Sequence, residues 1–172
     1  MSTAIKVGDT IPEATFWQIA YQPEESLAAC GIPSKVNTSE WKGKKVVLVS
    51  VPGAFTGTCH VQHLPPYLQK VDELKAKGVD VVAVFAANDP FVMSAWSKVS
   101  GFKDKILSLS DPEGAFGKKL GWELDLTGRG IGLGVRSARG AIILDDLKVV
   151  YIEREPGTEV SVSGVDAILA AL

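Results

Sequence analysis

The sequence predicts an α/β fold with a mixed β-sheet, parallel at its centre and antiparallel at one edge, and with helices on both faces. Strand-like and helix-like segments alternate along most of the 172 residues. The apolar runs 44–51 and 79–86 are rich in β-branched residues, as in strands that a parallel sheet buries on both faces. Residues 141–152 form two apolar segments around Asp145-Asp146, a pattern typical of an antiparallel hairpin. We therefore expect one domain over residues 1–172, with the element order β-α-β-α-β-α-β-β-α.

The segments on either side of the first central strand differ in regularity. Residues 1–43 are expected to form an irregular N-terminal arm with some strand character at 16–21. After the strand, apolar residues at helical spacing predict a helix over 60–77 that ends at Gly78. Pro65-Pro66 interrupts this pattern, and the two missing N–H donors should kink the helix or split it into a short and a longer segment.

The second half of the chain predicts shorter elements. Asn88 or Asp89 can cap a helix that has Pro90 at its first position and ends at Gly101. Three further elements complete the pattern: a short strand at 106–109, a short helix from Asp111-Pro112 to Gly121, and an amphipathic C-terminal helix at 165–172 with Ser163 as its expected cap.

Composition argues against several classes of partner. Hydrophobic residues make up 46% of the chain and charged residues 22%, which is ordinary for a globular protein. A net charge of −2 gives no electrostatic reason to expect nucleic acid or an anionic membrane as the main partner. No apolar run approaches the roughly 20 residues that a membrane-spanning helix needs. We therefore expect small-molecule or protein partners.

The chain ends and the cysteine content suggest a compartment. The first residues carry neither the apolar core of a secretory signal nor the arginines of a transit peptide, so we expect a cytoplasmic protein. The tail Ala170-Ala171-Leu172 lacks the central basic residue of a peroxisomal Ser-Lys-Leu address, which leaves that compartment open. The two cysteines do not form the framework of a disulfide-rich protein, so we expect them to be buried apolar residues or redox groups.

Cys59 stands where the first central strand gives way to the following helix. If that helix begins near 56–58, Cys59 lies in its first turn, where free N–H groups and the helix dipole favour a thiolate over a thiol. Thr56 can cap the same turn and direct its hydroxyl toward the sulfur, and Pro52 stiffens the entry turn. The alternative is that Cys59 only fills space between strand and helix, since buried cysteines are common.

The pattern Pro52-x-x-x-Thr56-x-x-Cys59 resembles the active-site motif of the peroxiredoxins. The resemblance implies a thioredoxin-like fold and a thiol-specific peroxidase that reduces hydrogen peroxide and organic hydroperoxides. Further segments resemble the atypical type II branch, in particular the fungal alkyl hydroperoxide reductases: His63-Leu64-Pro65, Asn88-Asp89-Pro90-Phe91-Val92, Ser110-Asp111-Pro112, Gly114-Ala115-Phe116 and Pro156-Gly157-Thr158.

The resemblance also implies a role for each motif residue. Cys59 matches the peroxidatic cysteine, which attacks the O–O bond and becomes a sulfenic acid. Thr56 matches the threonine that hydrogen-bonds the peroxide, and Pro52 matches the proline that shields the pocket from water. These implied roles require no cofactor and no metal ion.

An arginine beside the sulfur is also part of the family pattern, and Arg139 stands at its position, just before the strand 141–144. A guanidinium there would stabilise the thiolate and the charge that develops on the departing oxygen. Arg136 is the chief rival, although we expect it to be a solvated loop cation; Arg129 fits the pattern less well.

Cys30 resembles the N-terminal cysteine of fungal type II members, which resolves the sulfenic acid through a disulfide between the two subunits of a homodimer. The resemblance therefore implies an interchain disulfide with Cys59, which thioredoxin or glutaredoxin then reduces. The segment that follows Pro156-Gly157-Thr158 has no cysteine that could do this within one chain. A one-cysteine mechanism without Cys30 remains the alternative.

Two glycines depart from the family pattern, and three other functions stay open. Gly57 stands where many relatives have proline, and Gly140 stands where they often have an aromatic residue. The glycine-rich run 128–134 has no preceding strand and following helix, so we expect a mobile surface loop and no dinucleotide site. The alternative functions are a non-catalytic thioredoxin-fold binding module, a cysteine hydrolase, and a zinc site made of Cys30, Cys59, His60 and His63.

Overall fold

A computed structural model describes residues 5–23 and 25–172. Seven strands form one sheet with the spatial order β2-β1-β5-β4-β3-β8-β9, and two short strands, β6 and β7, pair separately. The strands are β1 (Thr15–Gln18), β2 (Ser34–Asn37), β3 (Lys45–Ser50), β4 (Val81–Ala86), β5 (Leu107–Ser110), β6 (Glu123–Asp125), β7 (Val135–Ser137), β8 (Gly140–Asp145) and β9 (Lys148–Arg154).

The helices cover both faces of this sheet. They are α1 (Leu64–Gln69), α2 (Val71–Ala76), α3 (Pro90–Ser100), α4 (Ala115–Lys119) and α5 (Val165–Ala171), with a π-helical segment at Thr58–His63 that leads into α1. Three-residue and four-residue 3₁₀ turns lie at Thr38–Trp41, Pro112–Gly114 and Thr127–Arg129. Among the described residues, no helix has the length and apolar character needed to cross a membrane.

The predicted α/β class and mixed sheet are confirmed. β3 pairs parallel with β4, and β4 pairs parallel with β5. β8 pairs antiparallel with β3 and with β9, which gives the expected hairpin at the edge. Because successive side chains of a strand point to opposite faces, Val47 and Val49 enter one core cluster while Val46 and Leu48 enter the other.

The N-terminal arm is more regular than we expected. β1 and β2 form an antiparallel pair, and β1 also pairs with β5 at the edge opposite the hairpin. Phe16 of β1 is fully buried, and its ring packs against those of Trp41, Phe85 and Phe116 at centroid distances of 5.0–6.0 Å. This aromatic cluster anchors the arm, a tertiary effect that the local pattern does not reveal.

The first helical region differs from its prediction in where it breaks. Pro65-Pro66 stands in the first turn of α1, where missing N–H donors cost little. The residues before these prolines form the wider π-helical segment, in which the N–H of Leu64 donates to the carbonyl of Cys59. The break into two helices comes at Lys70, with φ −105° and ψ 14°. The prolines thus permit a wide turn around Cys59 and do not themselves divide the helix.

The helix caps and the hairpin turn agree only in part with their predictions. Asp89 caps α3 by accepting from the N–H groups of Phe91 and Val92, and Gly101 ends the helix in the left-handed conformation, as predicted. The hairpin turn lies at Asp146-Leu147, one residue later than expected. The prediction that Ser163 caps the last helix is wrong: Gly164 occupies the cap, without a side-chain bond.

Candidate active site

Cys59 is buried at the start of the helical region that follows β3. It lies in the π-helical segment and is 1% exposed. Nη2 of Arg139 donates toward its Sγ at 3.4 Å. A guanidinium in this position stabilises negative charge on the sulfur, because a buried charge–charge contact is weakly screened by water. The sulfur therefore has the surroundings of a nucleophile as well as those of a core residue.

Arg139 reaches the sulfur because of the strand pairing between β3 and β8. Ser50, at the end of β3, lies opposite Gly140, and Arg139 comes directly before Gly140. This register brings together two residues that are 80 positions apart in the sequence. Arg139 is 7% exposed, and its Nε has no hydrogen-bond partner among the described residues. A buried donor without a partner costs about 1–3 kcal/mol, so the site has capacity for one more acceptor.

His63 holds the other end of the guanidinium. Nη1 of Arg139 lies 3.0 Å from Nδ1 of His63, and an arginine N–H can only donate, so Nδ1 must accept. Burial is the main cause that lowers the pKa of His63 to about 4, and the positive charge of Arg139 lowers it as well. The hydrogen bond to the carbonyl of Ser163 raises the pKa but does not outweigh these effects. The imidazole is therefore neutral at pH 7, with its proton on Nε2, which donates to the carbonyl of Ser163 at 2.9 Å.

Glu155 completes this buried network from the loop after β9. Its carboxylate accepts from the N–H and the hydroxyl of both Ser161 and Ser163, at 2.6–2.7 Å. Burial raises the pKa of Glu155, but the four hydrogen bonds outweigh it and lower that pKa to about 2. The hydroxyl of Ser163 lies 3.1 Å from Nε2 of His63 and so joins the carboxylate to the imidazole.

Thr56 and Pro52 lie beside Cys59 in the turn that leaves β3. The hydroxyl of Thr56 donates to the carbonyl of Gly53 at 2.8 Å. Because this bond uses the only hydroxyl proton, the oxygen of Thr56 presents its lone pairs to an incoming donor. Its backbone carbonyl accepts from the N–H of His60 at 2.9 Å, which starts the helical segment.

Arg136 is not the solvated loop cation that we predicted. It lies in β7 and is half-buried, and its Nη1 donates to the carbonyl of Pro52 at 3.3 Å and to Oδ1 of Asn88 at 3.2 Å. The same Oδ1 accepts from the N–H of Ala54 at 2.9 Å. Arg136 therefore holds the backbone of the turn that precedes Cys59 in the sequence, and it makes no hydrogen bond to the sulfur. The exposed Arg129 lies at the rim of the pocket.

A pocket of about 580 Å³ opens onto the sulfur, and we call it the Cys59 pocket. Thr56, Cys59 and Arg139 lie in its wall, together with residues of the glycine-rich run that we expected to be a mobile surface loop. That run joins β6 to β7 as a largely exposed loop, with positive φ angles of 63–72° at glycines 130, 132 and 134, and part of it lines one side of the pocket. Four apolar side chains line this side: Leu124, Leu126, Ile131 and Leu133.

The two departures from the family pattern have different surroundings. A Cβ at Gly57 would meet no atom within 4 Å, and its φ of −45° is open to other residues, so this position could accept a side chain. A Cβ at Gly140 would lie 2.7 Å from the carbonyl oxygen of Glu153 and 2.7 Å from the ring of Trp122. Any larger side chain at Gly140 would collide with both, and Trp122 fills the space beside this position.

Cys30 lies apart from this constellation. It is exposed, whereas Cys59 is buried, and both are free thiols. His60 is turned toward α3, where its Nδ1 accepts from Nε1 of Trp96 at 2.8 Å. No group of three or more His, Cys, Asp or Glu side chains in residues 5–23 and 25–172 could hold a metal ion. The four residues considered for zinc thus lie in three different environments.

Sequence reasoning found part of this site. It singled out Cys59 and Arg139, which the structure brings into contact, and Thr56 and Pro52, which line the same pocket. It missed the network behind Arg139. His63 follows Cys59 by four residues, a spacing that places two helical side chains on one side, and this signal could have identified it. Ser163 and Glu155 gave no comparable signal, because their roles depend on how the loop after β9 packs.

Comparison with known proteins places this geometry in a family context. The Redoxin family model matches residues 6–169. The chain is 44% identical over 168 residues to Peroxiredoxin-2B of Arabidopsis thaliana, with 98% of each chain covered. It is 44% identical over 174 residues to peroxiredoxin Pen c 3 of Penicillium citrinum, covering 98% of this chain and 99% of the other.

A solved structure is similar over nearly the whole length. Reduced Prx3 of Vibrio vulnificus, in complex with H₂O₂, is 41% identical and superposes with a TM-score of 0.85, covering 97% of this chain and 98% of that one. The similarity therefore extends over the sheet, the helices and the segments that build the Cys59 pocket.

Proposed function

Because the chain belongs to the Redoxin family, as a peroxiredoxin and hence a thiol-dependent peroxidase, we propose that Cys59 is its peroxidatic cysteine. The observation that carries this proposal is the 3.4 Å contact between Nη2 of Arg139 and Sγ of Cys59 in a buried site. A residue that only filled space between strand and helix would have no use for a buried guanidinium, whose desolvation is costly.

In the first step the thiolate of Cys59 attacks the terminal oxygen of the hydroperoxide. An S–O bond forms and the O–O bond breaks, so that the sulfur loses two electrons and the peroxide is reduced. The departing alkoxide or hydroxide takes a proton from solvent and leaves as alcohol or water, and Cys59 becomes a sulfenic acid.

Three residues prepare this step. Thr56 offers lone pairs to the O–H of the peroxide, because its own proton is engaged by Gly53. Arg139 has one buried N–H, at Nε, that no described residue accepts, and this donor can meet an acceptor on the substrate as charge develops there. Pro52 presents no N–H to the pocket and so does not compete for the peroxide.

The substrates that we propose are hydrogen peroxide and organic hydroperoxides. Hydrogen peroxide needs only the polar groups around the sulfur. The apolar side of the Cys59 pocket, which includes Ile131 and Leu133, supports binding of the organic group of a larger hydroperoxide.

For the second step we propose that Cys30 of the partner subunit resolves the sulfenic acid in a homodimer. Trp96 and Lys98 of α3 point about 200° apart around the helix. Trp96 contacts the Cys59 segment through His60, whereas Lys98 contacts the Cys30 segment. The segments that carry the two cysteines therefore contact different faces of α3, which supports a bridge between subunits. Thioredoxin or glutaredoxin would then supply two electrons and two protons to restore both thiols. A cytoplasmic location stays a prediction.

The proposal is tested by replacing the nucleophile. Cys59→Ser should abolish hydroperoxide reduction with an intact fold, because a serine hydroxyl stays protonated where a thiolate is needed. Circular dichroism checks the fold, and Cys30→Ser, assayed with a small dithiol as reductant, serves as the matched cysteine control. Substantial turnover by Cys59→Ser would overturn the proposal, and a non-catalytic binding module predicts no turnover in the wild type either.

A further inference from the structure

Every hydrogen bond that the ammonium of Lys98 makes to a described residue goes to the segment that carries Cys30. Nζ lies 2.8 Å from Oε2 of Glu25, and it donates to the carbonyls of Ala29 at 2.8 Å and Ser26 at 3.5 Å. Two of the three ammonium donors therefore bond backbone carbonyls, and the contact with Glu25 is an ion pair without hydrogen-bond geometry. The side chains of Lys98 and Glu25 are only 12% and 15% exposed, so this pair is much less screened than an ion pair on the surface.

Lys98 is the principal polar link between this segment and the rest of the fold. Among residues 25–33, the other hydrogen bonds that the structure describes stay within residues 22–29. On the far side of Cys30, a Cβ at Gly31 would lie 2.4 Å from Cγ2 of Ile19, so the backbone there packs closely on the end of β1. Cys30 is thus exposed on a segment that is held on both sides.

We propose that Lys98 is a positioning residue for the disulfide step, which holds the Cys30 segment against α3 so that Cys30 is presented to the partner subunit. This inference rests on the proposed role of Cys30. In that step the Cys30 thiolate attacks the sulfenic sulfur of Cys59, the S–S bond forms, the S–O bond breaks, and the leaving hydroxide takes a proton to become water.

The physical reason is conformational entropy. A segment released from Lys98 samples many backbone conformations, and few of them place Cys30 where the sulfenic acid can reach it. The peroxide step has no such requirement, because Cys59 and Arg139 make neither a hydrogen bond nor an ion pair with Lys98. Loss of the lysine should therefore slow disulfide formation and leave the first oxidation unchanged.

The test compares Lys98→Met, which keeps the length of the side chain and removes its charge, with Lys105→Met. Lys105 is exposed and makes no hydrogen bond to a described side chain, so it is a matched control. In single-turnover experiments with one equivalent of hydrogen peroxide, we expect all variants to consume peroxide at the wild-type rate. Disulfide formation, followed on quenched non-reducing gels, should slow about tenfold in Lys98→Met only. A tenfold change corresponds to the conformational entropy lost when roughly one backbone residue is ordered. Lys98→Arg should restore most of that rate.

Hydrogen exchange gives a second measurement that does not depend on the chemistry. Amides in residues 25–33 should exchange faster in Lys98→Met than in the wild type or in Lys105→Met. Unchanged exchange, or disulfide formation at the wild-type rate, would overturn the inference. If the wild type itself forms no bond between Cys30 and Cys59, the resolving role fails, and the inference fails with it; the wild-type gel alone identifies that case.

Discussion

Arg139 donates from Nη1 to Nδ1 of His63 across 3.0 Å, although the two residues are 76 positions apart in the sequence. This bond turns the other terminal nitrogen of the guanidinium toward Cys59. Arg139 is thereby held at two points, and a donor that is already oriented need not reorganise when charge develops in the transition state. The catalytic power that we propose for this site depends on that orientation as well as on the positive charge.

The first prediction concerns the two candidate arginines. Arg139→Ala should slow oxidation of Cys59 by about 10²–10³-fold, the usual cost of one donor aimed at transition-state charge. Arg136→Ala should have a smaller effect, because Arg136 bonds the carbonyl of Pro52 and the side chain of Asn88 but not the sulfur. Stopped-flow measurement of the oxidation step checks this. A larger loss in Arg136→Ala would assign the catalytic guanidinium to that residue.

The second prediction concerns acid stability. The pKa of His63 is about 4 in the folded protein and 6.5 ordinarily, so the unfolded state binds more protons between these values. The free energy of unfolding should therefore fall as pH is lowered through this window, by on the order of 3 kcal/mol in full. The lowered pKa of Glu155 extends the loss below pH 4.5.

Urea denaturation of two variants measures how much His63 contributes to the pH dependence of the free energy of unfolding. His63→Asn keeps an acceptor for Arg139 but cannot titrate, so its stability should fall much less between pH 6.5 and 4. His60→Asn is the matched control, because the chain has only two histidines, and it should keep the steep fall. Equal slopes in the wild type and His63→Asn would contradict the neutral, buried imidazole.

The third prediction concerns quaternary structure. Peroxide-treated protein should run as a covalent dimer on non-reducing gels and return to monomer with dithiol, because the segments that carry Cys30 and Cys59 contact different faces of α3. Cys30→Ser should reduce one equivalent of peroxide, stall with thioredoxin as sole reductant, and over-oxidise with excess peroxide. An oxidised wild type that stays monomeric, with Cys30 open to alkylation throughout, would indicate a one-cysteine enzyme.

The fourth prediction concerns substrate preference. Ile131→Ser removes an apolar group from the Cys59 pocket, so KM for cumene hydroperoxide should rise about threefold to tenfold while turnover of hydrogen peroxide stays unchanged. Val7→Ser is the control, since Val7 is also an exposed apolar side chain but does not line the pocket. Equal changes for both peroxides would show that the loop supports the pocket without contacting the organic group.

The parts of the fold that follow from local pattern could be predicted. The strands β3 and β4 are largely apolar runs rich in β-branched residues, and α3 carries its own cap and terminator in Asp89 and Gly101. The motif from Pro52 to Cys59 is contiguous in the sequence, so its members are brought together by one turn.

The parts that depend on packing between distant segments could not be predicted. Arg136 bonds the interior only because β7 runs beside the turn that begins at Pro52. Ser163 lies where a helix cap is expected, but the loop after β9 brings it back to Glu155, and its hydroxyl bonds that carboxylate. The strands of the N-terminal arm likewise depend on burial of Phe16 among three other rings. The partners of Arg136 and Phe16 are far away in the sequence, whereas Glu155 is eight positions from Ser163 and meets it only through the path of the loop.

Intact-mass and peptide mass spectrometry of Cys30→Ser after one equivalent of hydrogen peroxide tests most directly whether Cys59 is the nucleophile. We predict the gain of one oxygen atom per chain, located on Cys59 and trapped by a reagent specific for sulfenic acids. The same treatment of Cys30→Ser combined with Arg139→Ala should give little modification in the same time. An unmodified Cys59, or oxygen located on methionine instead, would contradict the proposal that this buried thiolate is the nucleophile.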